Sequence, residues 1–256
     1  NPFVILNAIE QSIKEKIEKY GVELGKWPEI KINYGIKTGY NDAFIINEET
    51  RNTIISSCGS SAEREMTANL IRPILRGRDI KRYGYDWAGL WIINVHNGVR
   101  GKIPRIKIEY FPAIKRHLDC YWKNISSRTD KGDTPYNLRN CAYLEDFDKP
   151  KIIYNDIAQR LSFAKSENGE FLNNTAYFFT CKKSEDLDYL LNVLNSSLIN
   201  WYYKTLSVQL GETAVRMFSI YVEKIPIPNL ATNKMEISSD TDNVVYKLYL
   251  NIFQNL

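Results

Sequence analysis

The chain has 256 residues, 44% hydrophobic and 25% charged. It can bury a sizeable core as one large domain or two small ones, with ordinary soluble globular composition. No apolar run approaches the roughly 18 residues of a membrane span, so a membrane role has no support. Cys58, Cys120, Cys141 and Cys181 lack the close pairs of metal or redox motifs and read as reduced thiols of a cytosolic protein, and the net charge of +4 permits a polyanionic partner without demanding one.

In chain order, the text opens at Asn1 without an initiator methionine or a secretory pattern, with helical periodicity already under way, which predicts a piece of a longer polypeptide. Leu6, Ile9, Ile13, Ile17 and Tyr20 recur at helical spacing behind Pro2, with Gly21 placed to stop the helix. Next, Ile30, Ile32, Tyr34 and Phe44, Ile45, Ile46 read as strands around Gly35-Ile36-Lys37-Thr38-Gly39-Tyr40-Asn41-Asp42-Ala43-Phe44. This predicts a hairpin tip that either reads something polar or merely turns the chain. A short helix over 48–57 follows, then the basic stretch 72–82, broken by Pro73 and Gly77, and strands over 81–85 and 90–95.

Pro112 opens a predicted helix whose apolar face is Ile114, Leu118, Tyr121, Trp122 and Ile125. Residues 126–141 hold no sustained period and read as a long functional or mobile loop. Segments 151–157, 160–166 and 175–181 are β-branched and aromatic, with Asn168-Gly169 as a turn between them, and read as strands of one sheet system. Leu187, Leu190, Leu191, Leu194, Leu198 and Trp201 or Tyr202 mark the strongest helix, spanning 185–204. The prolines of Ile225-Pro226-Ile227-Pro228 are expected to end regular structure, and a polar, then helical tail closes the chain.

A metal or hydrolytic site would leave clustered ligands, yet only His96 and His117 are present, in different segments, and His117 lies beside an apolar helix face. Glu29-Ile30-Lys31 and Asp79-Ile80-Lys81 supply only half of a nuclease signature. Sequence-specific DNA binding needs cations for phosphates and forked polar groups for base edges. Candidates are Arg76, Arg78, Lys81 and Arg82 in the densest basic cluster, which also includes Arg72, with a solvated charged turn as the alternative. Base-reading groups are Lys37, Thr38, Tyr40, Asn41 and Asp42, together with Arg128, Lys131, Asn137 and Arg139 on the long loop, and Gln209, Thr213 and Arg216 beyond it. Tyr83, Trp87, Trp91, Tyr154, Phe178 and Trp201 are expected in the core, leaving Tyr40 and Tyr136 on loops.

Several motifs occur in one order: residues 35–44, then 70–83, Lys149-Pro150-Lys151-Ile152-Ile153, Leu190-Leu191-Asn192-Val193-Leu194-Asn195-Ser196 and Lys224-Ile225-Pro226-Ile227-Pro228. Over roughly residues 5 to 230 this resembles the TaqI-like C-terminal specificity domain of adenine-N6 DNA methyltransferases and fused type IIG restriction-modification enzymes. A looser likeness runs to type I restriction specificity subunits.

The resemblance implies an α+β fold, a twisted mixed β-sheet or partial barrel flanked by long helices. Residues 1–25 would be a helix joining an upstream catalytic region, 26–230 the target-recognition domain including the 185–204 helix, and 231–256 a C-terminal helical segment. It implies duplex DNA as partner, a methyltransferase domain in the same polypeptide, a cytoplasmic place in bacterial defence and no membrane. The fragment itself would be no enzyme and hold no cofactor. S-adenosylmethionine, and Mg2+ if the parent also cleaves, would bind in catalytic regions, because the Gly-rich cofactor loop and the Asn-Pro-Pro-Tyr-type motif are missing and Asn1-Pro2-Phe3 lacks the second proline. The alternative is a DNA specificity and scaffold subunit of a type I-like complex.

Overall fold

The computed structural model describes residues 6–207, 209–210, 214–228, 242–243, 245 and 248–249. At its centre lies a four-stranded antiparallel sheet in the order Phe163–Ser166, Lys151–Asn155, Ala176–Thr180 and Lys31–Tyr34. Successive side chains of a strand face opposite ways, and this sheet is buried on both sides. Ile153, Ala164 and Phe178 enter one core, and Ile152, Tyr154, Phe163 and Phe179 enter the other.

The first core is closed by a second four-stranded sheet, in the order Phe171–Leu172, Ile71–Leu75, Leu90–Ile93 and Ile45–Asn47, with the first pair parallel and the rest antiparallel. Helices Glu48–Ser56, Ser61–Leu70, Pro112–Asp119 and Trp122–Ser127 contribute buried residues to that core. The second core is packed by Asp186–Asn195 and Ser197–Leu206, with Ile17 from the opening helix Ala8–Tyr20. The α+β class and mixed pairing expected from sequence are therefore present, as separate open sheets, none of which closes into a barrel among the described residues.

Caps account for several helix starts. Asn7 and Glu10 form a reciprocal capping box, and Asn47 and Ser60 accept hydrogen bonds from the first turns of their helices. The expected 185–204 helix is two helices, because Ser196 is extended: its Oγ donates to Val193 O (2.7 Å) and accepts from Ile199 N (3.3 Å). Beside it, Asn195 exchanges two hydrogen bonds with the backbone of Phe163, from its N–H (3.0 Å) and to its carbonyl (2.9 Å), docking the helix pair on the sheet edge. The 112–125 helix is likewise split between Asp119 and Trp122, and Trp122 is exposed rather than on its apolar face.

Three further expectations are corrected. Residues 35–44 are no hairpin tip: the strand before them pairs with Ala176–Thr180 and the strand after them with Leu90–Ile93, so the segment crosses between sheets through a short helix, Asn41–Phe44. Pro226–Pro228 is a strand, paired antiparallel to Gly21–Glu23 in a two-stranded sheet. Proline is tolerated on such an edge, and Gly21 admits it because a Cβ there would lie 2.3 Å from Pro226 Cβ. Tyr83 and Trp87 are also well exposed rather than in the core. The tail beyond Pro228 falls mostly outside the described residues.

Candidate functional site

The crossover is locked from below. Gly35 N–H donates to Ala176 O (2.8 Å) and Ile36 N–H to Leu172 O (2.7 Å), so tightly that a Cβ on Gly35 would sit 2.0 Å from Asn173 O. Thr38 is buried; its hydroxyl donates to Asn41 Oδ1 (2.6 Å) and accepts from Tyr40 N–H (3.2 Å), a local turn of the kind hydroxyl side chains stabilise. Thr38 is thus an architectural residue rather than an exposed reader. Lys37, Asn41 and Asp42 remain exposed, and Tyr40 packs half-buried on Tyr121 with ring centroids 6.1 Å apart. Residues 37–41, Asp130 and Asn174 line a concavity of about 410 Å³.

Its other wall is the long loop, held by Arg128. The residue is only 7% exposed, and its guanidinium donates to Thr38 O, Asp130 O (2.8 Å), Pro135 O (3.0 Å) and Asn137 O (2.6 Å), and lies over the Phe44 ring. Burial lowers its pKa to about 10, with the charge of Asp130 opposing. Asn137 is buried too, donating to His96 O and Ile106 O and accepting from the Thr134 hydroxyl. Arg128 and Asn137, expected from sequence to offer base-reading groups, are buried, and those hydrogen bonds bind the loop's own backbone and its neighbours. Arg139 is exposed and paired with Asp130 at 3.2 Å, while exposed Lys131 donates to Ser126 O at 2.7 Å.

The basic stretch divides in the same way. Arg76 forms a bidentate pair with Asp79, from Nε (3.0 Å) and Nη2 (2.7 Å), while its backbone N–H also donates to that carboxylate (2.8 Å). Burial alone would lift the Asp79 pKa, but the Arg76 hydrogen bonds and the charges of Arg76 and Arg78 outweigh it and hold it below the usual carboxylate value. Arg82 donates twice to Asn195 O (3.2 and 2.9 Å), tying the helix junction to the sheet, and Lys81 Nζ donates to Arg78 O (2.9 Å). Arg72 is paired with Asp148 at 2.5 Å. Arg76 and Arg82 are therefore structural, whereas Arg78 and Lys81 are exposed.

The turn 173–175 joins these parts, and its Asn-Asn-Thr run was the signal that sequence reasoning passed over. Asn174 is exposed in the concavity beside Lys37. Thr175 Oγ1 accepts from Gly77 N–H (2.8 Å), and its carbonyl accepts from Asp156 N–H (3.1 Å). Asp156 O in turn accepts from Met217 N–H (2.9 Å), next to Arg216, whose strand Ala214–Arg216 pairs with Ile157–Ala158. Arg216 is half-buried, 5.4 Å from the Phe218 ring. Burial raises the Asp156 pKa, against the charge of Arg216. Gln209 contributes backbone to the strand Gln209–Leu210, and Thr213 lies outside the described residues.

One concavity thus brings residues 37–41, Asp130 and Asn174 together, and hydrogen bonds tie the 173–175 turn to Gly77, beside Arg78, and through Asp156 to Met217, beside Arg216. Chemically, that array offers exposed ammonium, guanidinium, amide and carboxylate groups on a fixed backbone. Among the described residues no group of three or more His, Cys, Asp or Glu could hold a metal ion, and no helix is long and apolar enough to cross a membrane. His117 Nε2 is hydrogen-bonded to Ala43 O at 3.0 Å, and burial lowers the pKa of both histidines.

A family model described as the TaqI-like C-terminal specificity domain matches residues 72–227. Among solved structures, the chain is similar to the type IIL restriction-modification enzyme MmeI, determined in complex with DNA (TM-score 0.55, 12% identity, covering 90% of this chain and 29% of that one). It is also similar to the type IIG restriction endonuclease BpuSI (TM-score 0.57, 15% identity, covering 93% and 28%). The chain thus spans less than a third of the length of either.

Proposed function

The chain belongs to the TaqI-like C-terminal specificity domain family, and on that premise we propose that it is the duplex-DNA recognition domain of a type IIG-like restriction-modification adenine-N6 methyltransferase. The observation that carries this reading is the polar concavity lined by exposed Lys37, Asn41 and Asn174 together with Asp130, to which exposed Arg139 is paired. Lys37, Asn41 and Asp42, with Arg139, are suited to base edges, because their exposed groups stand on a backbone fixed from both sides. Arg78, Lys81 and Lys131 are suited to phosphates, as exposed cations whose contacts there carry no sequence information. Chemistry on the base belongs to a catalytic domain of the same polypeptide that binds S-adenosylmethionine, and Mg2+ where cleavage also occurs. The family match and the likeness to enzymes more than three times its length support this division of labour.

Titration of the purified chain with labelled duplex DNA across a salt series tests it. Weak binding is expected, with log K falling against log salt at a slope of roughly −4 to −5 for about four to six phosphate contacts. No methylation or cleavage is expected from the chain alone. A flat salt response, or methyl transfer from S-adenosylmethionine by this chain, overturns the proposal.

A further inference from the structure

Next to the recognition face stands a hairpin at 99–103. Val99 and Ile103 exchange backbone hydrogen bonds of 2.9 Å, and Lys102 N–H also donates to Val99 O at 2.9 Å. Two glycines make the turn possible. Gly101 has φ +76° at the tip with open space around it, and Gly98 has φ +76° at the base, where a Cβ would lie 2.4 Å from Ile103 O. The tip therefore projects Arg100 and Lys102, both exposed, on either side of a residue without a side chain.

The base of the hairpin is rigidly held. Asn97 accepts from Asp133 N–H (2.9 Å) and donates to Asp133 Oδ1 (3.0 Å) and Asn140 Oδ1 (2.5 Å). Buried Asn137 grips the carbonyls of His96 and Ile106 on the two sides of the hairpin. Residues 97–101, Ile103, Arg105, Asp133 and 140–142 enclose a concavity of about 670 Å³. Its wall is the loop that also borders the concavity beside Lys37: Asp130 faces one hollow, and Asp133 and Asn140 the other. Among the polar residues lining the second hollow, Asp133 is the sole acid, 4.0 Å from Arg105, against Arg100 and Arg105.

We infer that the 99–103 hairpin is a second DNA-contacting element, inserting its Arg100-Gly101-Lys102 tip into a groove of the duplex while the 126–141 loop rides beside it. The inference rests on the DNA-recognition reading above and extends it to residues not assigned there. The major groove is about 12 Å wide, and a five-residue turn closed by one bridge presents a narrow tip whose two cations can neutralise the phosphates that border it.

The test uses the 256-residue chain and a fluorescein-labelled duplex of mixed sequence, about 30 base pairs long, over a salt series; two lost phosphate contacts should make the slope shallower by about 2. The pair Arg100→Ala/Lys102→Ala should show that change and the charge-matched pair Lys182→Ala/Lys183→Ala should not. Lys102 should also be protected by duplex from acylation, scored by mass spectrometry. An unchanged slope with Lys102 acylated equally with and without duplex, while the wild-type chain still binds, overturns the hairpin and leaves the recognition reading standing. No binding by the wild-type chain overturns both. Gly101→Ala, which keeps both cations but strains a positive-φ tip, should weaken binding while leaving the thermal transition of the chain in place.

Discussion

The guanidinium of Arg128 lies 4.4 Å over the ring of Phe44 while donating to carbonyls of two loops, so one buried side chain clamps the 37–42 crossover to the 128–137 loop. Arg128→Ala would remove the guanidinium donors from Thr38 O, Asp130 O and Pro135 O, while Asn137 O keeps Gly132 N–H, at a cost of about 2–4 kcal/mol. Arg128→Lys should rescue little, because an ammonium cannot reproduce the planar fork. Urea denaturation of both variants checks this, and a near-wild-type midpoint for Arg128→Ala would refute the clamp.

Arg76 and Asp79 give the basic stretch its own pH signature. The folded pKa of Asp79 is depressed, so the unfolded state holds more protons as the carboxylate titrates. Its stabilisation is present above the unfolded value of about 3.9 and is lost as pH falls through the folded one. Wild-type stability should therefore drop more steeply than that of Asp79→Asn below about pH 4. Parallel acid denaturation curves for the two proteins would contradict the pairing.

At Lys151 folding disfavours the charged form rather than favouring it. Its ammonium is fully buried and donates to Phe147 O at 2.7 Å; burial lowers its pKa to about 8, against the charges of Glu170 and Asp148. Between that value and the unfolded value of about 10.4, the unfolded chain holds more protons, so the contribution of Lys151 to stability rises with pH. The wild-type chain should gain about 2 kcal/mol relative to Lys151→Met between about pH 7.5 and about pH 10. Denaturant midpoints of the pair at the two pH values measure this gain, and a constant difference would refute the lowering of the Lys151 pKa by burial.

Holding and reading DNA should separate by residue. Arg78→Ala should weaken binding to all duplexes alike and make the salt slope shallower by about 1. Lys37→Ala, Asn41→Ala or Arg139→Ala should instead cost about 1–3 kcal/mol on the recognised sequence and relax discrimination at one base pair. Sequencing the duplexes retained by each variant from a randomised pool distinguishes the two classes. Unchanged preferences across all three variants would place the reading surface elsewhere.

Local patterning along the chain made the class of the fold and many of its elements legible. The opening helix, the strands over 151–157, 160–166 and 175–181, the proline-started helix at Pro112 and the ordered motifs of the specificity domain were legible because periodicity and propensity act over a few residues. Which polar groups reach solvent was settled by packing between distant segments. Arg128 and Asn137 look like Arg139 in a polar loop, yet two are buried by carbonyls brought from as far as residue 38, and one reaches solvent. Likewise, two short strands around glycines are locally indistinguishable from a hairpin, and distant partners at 176–180 and 90–93 made the segment a crossover. The physical reason is common to both. Hydrogen-bond satisfaction of a side chain, and the choice of partner strand, depend on groups far away in sequence, which no local pattern encodes.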